Sequence, residues 1–554
     1  MQKRLWMVGL PSLIAAACSS GTEPLLAACT ATSGGQVSLG IGAYTAVDPT
    51  QTAGCAVFPA NPGGSTIEYL VVPQSASRVP DDSQGFTLGG TALAAASAPR
   101  ASFVAGPSVA QQFDLRLRLA EREFAAQLPR PSRAPSRLSV AATPVDSGNV
   151  RTFKVCNTIN CDPRKPSTLS SVTATALKVG QHIAIYVDNA APQPGLTQSD
   201  LDNLRAVFDT RLYETDTLAF GSESDIDNNG MVIVLMTGKV NGMVSAQQCV
   251  TGFVAGYFFG ADLITTPPFA TGNNAEIFYS IVPDLSATLS CRAHSVAEVR
   301  QIVPVTFVHE FQHMISFNQH FLVRGGFPED LWLNEGLSHY AEENGGRTYL
   351  PDSATFCNYV FGDVYNAGQY FTAPENYFLV DTVGIGGFAN RGAYWLFVRF
   401  LVDQFAADTS TAAANAFTRT LLATTLTGAA NVQAQTSTSF TTLAERWALA
   451  NYVSDLPGFT APPELQYVKW QFRTAFPTFN VKCDSRISAQ FPLTPAVVDA
   501  SSAQLSGMLR AGSASYFRLQ HVAGAPRFTL LFSNSVGGAL RATLAPRLNV
   551  IRLQ

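Results

Sequence analysis

Hydrophobic and polar positions along the chain change rhythm several times. Residues 29 to 91 carry short runs rich in Val, Ile, Tyr and Thr, such as QVSLGIGAY and STIEYLVVP, each closed by turn residues. The same texture returns from about residue 490 in SYFRLQ, RFTLLFS, GALRATLAP and NVIRLQ. Both stretches predict small β-domains, the second sandwich-like. Three denser runs, HIAIYVDN (182–189), MVIVLMTGKV (231–240) and AEIFYSIVP (275–283), predict buried strands, since their side chains suit a pleated, covered surface. Helical rhythm follows Thr197, a suitable cap, where Leu201, Leu204, Phe208 and Leu212 share one stripe. Further helices are expected at 296–317, after Asp330, at 392–405 and at 439–453. FDLRLRLAEREFAAQL (113–128) reads as a solvated linker helix rather than a membrane-surface helix or an inhibitory pro-segment.

Composition adds boundaries. A chain of 554 residues exceeds what one core usually serves. Ala, Pro, Ser and Arg dominate residues 92 to 150, and PRPSRAPSR (129–137) cannot build a core. The expected organisation is a β-domain at 29–91, a linker or pro-segment at 92–150, a mixed α+β domain at 151–485 and a β-domain at 490–554. Charged residues make up 14% and the net charge is −4, and neither points to electrostatic capture of nucleic acid. At the amino terminus, Lys3 and Arg4 precede an apolar run from Leu5 to Ala17, and Cys18 follows. That pattern predicts a signal peptide over 1–17 of the lipoprotein type, with membrane attachment only through lipid on Cys18 and otherwise secretion. A rival site at Cys29 follows an apolar run broken by Glu23 and Pro24. Of 9 cysteines, setting Cys18 aside leaves an even set, and sequence order suggests Cys29–Cys55, Cys156–Cys161, Cys249–Cys291 and Cys357–Cys483.

The chemistry concentrates in TFVHEFQHMI (306–315) and LWLNEGLSHYAEE (331–343). His309 and His313 are four apart, so on a helix both imidazoles leave the same face and can hold one Zn²⁺, with Glu310 beside them. A third ligand must come from elsewhere, and Glu335 supplies it if the second segment packs against the first. The flanks carry no charge, as a helix buried behind a metal cleft requires.

HEFQH followed by NEG resembles the gluzincin metallopeptidases, and VHEFQHMISF with WLNEGLSHYAEE is most similar to the hyicolysin-type bacterial extracellular proteases. The resemblance implies an α+β fold with a zincin-like catalytic domain, a sheet lobe and a helical lobe with zinc between them, flanked here by small all-β domains. It further implies His309, His313 and Glu335 as zinc ligands and Glu310 as general base for a zinc-activated water. The expected function is a zinc endopeptidase acting on extracellular or periplasmic protein. A non-proteolytic surface-binding protein on the same scaffold and a metallo-aminopeptidase are the alternatives. The aminopeptidase branch carries a Gly-x-Met-Glu-Asn string that this chain lacks, and Gln319 stands where a metzincin would place a third histidine. Where thermolysin-like relatives have an Asp four residues after the ligand Glu, this chain has His339, and Glu342 is a candidate orienting carboxylate. For the oxyanion, Tyr365, Tyr370, Tyr377 and Tyr394 are candidates and Tyr394 is favoured. A strand along the cleft would pair with extended substrate, and AEIFYSIVP is the candidate. Finally, DIDNNG (225–230) opens like a calcium loop, with Asp225, Asp227 and Asn229 as ligands, although Met236 stands at position twelve.

Overall fold

The computed structural model describes residues 24–30, 32–90, 107–128, 145–266, 271–382 and 387–554. The expected signal peptide with Cys18, and the PRPSRAPSR segment, lie outside the described residues. The fold is mixed α+β with several sheets.

The three dense apolar runs form Ile183–Asp188, Val232–Met236 and Ile277–Ser280, which lie side by side and parallel in a six-stranded sheet. Their buried patterns are nearly continuous, as strands covered on both faces require. Leu169–Val179 and Val150–Cys156 extend the sheet on one side, antiparallel. On the other side the last strand is Gly256–Phe258, antiparallel to Ile277–Ser280. AEIFYSIVP therefore sits one place inside the sheet, and the edge belongs to a three-residue strand too short to stand out in a hydrophobic pattern.

Helix signals are obeyed closely. Thr197 caps Gln198–Val207 with a reciprocal bond to Asp200, and Leu201, Leu204, Phe208 and Leu212 are all buried. The motif helix runs Val296–Phe317, capped by Ser295, and is followed by helices Leu331–Arg347, Ser353–Thr372, Phe388–Phe405 and Phe440–Val453. Asp330 stands at the cap position of the second of these, but its side chain makes no capping bond there and instead accepts from Arg122. Gly336 lets that helix approach its neighbour closely, since a Cβ there would lie 2.7 Å from the Tyr394 carbonyl oxygen. The close approach brings Glu335 and the helix Phe388–Phe405 together.

The β-rich ends differ from expectation. They form two five-stranded sheets, and each sheet draws strands from both ends of the chain. Cys55–Phe58 and Ser83–Gly89 flank Phe528–Asn534, while Tyr44–Val47 and Ile67–Ser75 flank Pro546–Arg552. The two stretches read as separate β-domains complete one another, because neither holds enough strands to cover its own apolar faces. All four expected disulfides are formed. They fit an extracellular, oxidising setting. Among the described residues no helix is long and apolar enough to cross a membrane.

Candidate metal centre

His309, Glu310 and His313 lie on the motif helix, and Glu335 lies one turn into the next helix. The fold brings them together. His309 Nε2 stands 3.6 Å from Glu335 Oε2, and His313 Nε2 stands 3.2 Å from Glu335 Oε1. Ligands about 2.0–2.1 Å from a tetrahedral zinc stand roughly 3.3 Å apart, so these separations suit one ion. Neither oxygen of Glu335 accepts a well-directed hydrogen bond, although Arg391 Nη1 approaches Oε2 to 2.8 Å. A buried carboxylate in that position is short of partners, which fits a cation in the gap.

A second set, His309, His339 and Glu342, also lies close enough to hold an ion. Its spacing argues otherwise. His309 Nδ1 and Glu342 Oε1 are 2.6 Å apart, in hydrogen-bond contact, and His339 Nδ1 is 3.1 Å from the same oxygen, an ion-pair approach, which leaves no room for a metal between. These groups make a chain instead: Asp363 holds His339 at 2.9 Å, both histidines meet Glu342, and His309 turns its Nε2 toward Glu335. A carboxylate on the far nitrogen is the usual way to orient a ligand histidine. Glu342 thus occupies the orienting position, and His339 supports it.

Charge balance shapes the groups. Burial alone would raise Glu335, but Arg391 and His313 overcome it and hold the carboxyl well below its usual range. Burial would likewise raise Glu342, yet His339 and His309 hold it down to about 2. Burial would strip the proton from His309, but the neighbouring carboxylates of Glu335 and Glu342 raise it well above the ordinary imidazole value. Burial pushes Glu310 up, against the pull of His313 and His309. One Glu310 oxygen accepts from the Phe258 N–H of the edge strand at 3.0 Å.

Tyr394 lines a small cavity beside the centre with Asp114, Glu335 and Arg391. Its hydroxyl donates to Asp381, at 2.7 Å from either oxygen. Arg391 and Asp114 were not anticipated. Arg391 is a lone basic residue at the start of an apolar helix, and only the packing against Gly336 reveals its target. Glu342 was readable, since it lies two turns beyond Glu335 on one helix.

The calcium reading requires correction, and calcium is not supported. Asn229 Oδ1 accepts from the Met231 N–H at 2.6 Å, and the carboxylate that joins Asp225 and Asp227 is Glu276, from the strand region behind. Arg151 already pairs with Asp227 at 3.1 Å.

No family model matches the chain. It is 29% identical over 175 residues to the neutral metalloprotease ShpI of Staphylococcus hyicus, a stretch covering 31% of this chain and 36% of that protein. The chain thus aligns with well under two thirds of that relative's length. This distant homology and the His/Glu clusters support a metalloprotease in general and fit a bound metal ion.

Proposed function

We propose that the chain is a zinc endopeptidase of the gluzincin type, with a zincin arrangement of sheet and helices, hydrolysing peptide bonds of extracellular or periplasmic proteins. The observation that carries this reading is the meeting of two imidazole nitrogens with the two oxygens of Glu335, at 3.6 and 3.2 Å, beside Glu310. His309, His313 and Glu335 would hold the zinc. When bound, zinc supplies a Lewis acid for the scissile carbonyl and for water.

The chain's own groups supply the rest. Glu310 takes a proton from the attacking water and returns it to the leaving amine. Its bond from Phe258 N–H ties that carboxylate to the sheet edge, so base and substrate strand keep a fixed relation. Glu342 orients His309, and Arg391 balances the charge of Glu335. Tyr394 serves the oxyanion if its hydroxyl turns from Asp381. Export and a lipid anchor on Cys18 complete the reading.

Casein and an amino-blocked peptide test it, using wild type and Glu310→Gln with bound zinc quantified. Both should bind about one zinc, and only wild type should cleave. If neither holds zinc, the ligand set is wrong. Cleavage confined to peptides with free amino termini would favour the aminopeptidase.

A further inference from the structure

The helix Val109–Gln127, read from its sequence as a solvated linker, is not solvated. Its buried face carries Phe113, Leu117 and Phe124, and also Arg118 and Glu121, which are 4% and 2% exposed. Phe113 packs edge-on against Tyr257 and Phe124 lies against Phe259, so the helix runs along the sheet edge. There Arg118 Nη2 donates to the Phe258 carbonyl at 2.6 Å. Glu121 Oε1 accepts from the Gly260 N–H at 2.7 Å, and Arg118 Nη1 meets Glu121 Oε2 at 3.1 Å.

On its other side the same helix reaches the ligand-bearing elements. Arg122 donates to Asp330 at 2.8 Å, where the helix of Glu335 begins. Asp114 accepts from Arg391 at 2.7 Å, and Arg391 is the residue beside Glu335. The helix therefore spans from the sheet edge to the candidate metal centre.

The two backbone groups it takes are informative. Phe258 C=O and Gly260 N–H flank one residue, and a strand added in parallel satisfies such a pair with the N–H and C=O of a single residue. Here a guanidinium donates to the carbonyl and a carboxylate accepts from the N–H. Two side chains make the bonds that one residue of an extended peptide would make.

We propose that this helix is an autoinhibitory cover: it occupies the substrate cleft and competes with an extended peptide for Phe258 C=O and Gly260 N–H. The proposal rests on the peptidase reading of the centre. It makes Phe258 and Gly260 the backbone contacts of the substrate.

The test compares the full wild-type chain with Arg118→Ala/Glu121→Ala, using an internally quenched, amino-blocked peptide and hydrogen exchange of the Gly260 amide. An intramolecular competitor raises the apparent KM by the inverse of the fraction of chains open, so with about a tenth of chains open the variant's KM should fall by about tenfold while kcat is unchanged. The Gly260 amide should exchange faster in the variant. An unchanged KM, or a fall in kcat alone, overturns the cover and leaves a structural helix. A variant that binds zinc and opens at Gly260 but cleaves nothing overturns the peptidase reading, and the inhibitory role with it.

Should the double variant fail to fold, Glu310→Gln with saturating blocked peptide gives the same answer. Peptide should expose the helix amides to exchange while Gly260 stays protected. Helix protection that persists with peptide bound overturns the proposal.

Discussion

Two candidate metal-binding clusters in this molecule were both suggested by short motifs, and they differ in how they are built. At the metal centre every expected donor sits on a helix: two histidines one turn apart, and a glutamate on a second helix pressed against the first. At Asp225 and Asp227 the donors sit in a loop, and their partner Glu276 arrives from an element far along the chain. Helical periodicity fixes the direction of a side chain from its position in the sequence, whereas a loop does not. The structure therefore brings together the three residues expected for the first cluster, whereas in the second Glu276 joins Asp225 and Asp227.

Breaking the helical cluster should have the largest effect. His313→Ala or Glu335→Gln should reduce bound zinc from about one equivalent to none and remove casein hydrolysis, which metal analysis and assay would check. Retention of zinc by either variant would remove that residue from the centre. Glu342→Gln should act more mildly, weakening metal affinity by about 10–100-fold, because it frees the far nitrogen of His309 without removing a ligand. Competition with a chelator of known affinity measures this.

Gly336→Ala tests the packing that carries Glu335 into place. Its Cβ would meet the Tyr394 carbonyl oxygen at 2.7 Å, so a loss of about 1–3 kcal/mol is expected. Chemical denaturation gives that value, and an unchanged midpoint would mean the two helices separate freely. The smallest effect belongs to the loop cluster. Millimolar Ca²⁺ should leave the melting temperature unchanged, since Arg151 already pairs with Asp227. A clear rise would reverse the contrast between the clusters.

The same contrast explains what was legible. The common face of His309 and His313, the helix Val296–Phe317 and the three central strands could be read because each depends on local periodicity, whereas Glu335 needed a second helix packed against the first. Arg391 and Asp114 could not, since their roles arise from helices more than 200 residues apart meeting at Glu335. Gly256–Phe258 was hidden by its length, although it forms the sheet edge. The helix Val109–Gln127 was misjudged because its buried face carries Arg118 and Glu121, charges that only a paired, desolvated contact tolerates. The shared β-sheets were invisible for a different reason: strand pairing over about 470 to 510 residues leaves no mark in either segment.

Those shared sheets also bear on the order of events during synthesis. Pro546–Arg552 is wedged between Ile67–Ser75 and Tyr44–Val47, so both early strands keep an open edge until about 470 further residues have been made. Closing so long a loop adds little to the equilibrium cost, which grows only with the logarithm of its length. It does impose delay, because strands made early must wait for a partner made much later. During that interval their unpaired edges are where the nascent protein is most exposed to aggregation.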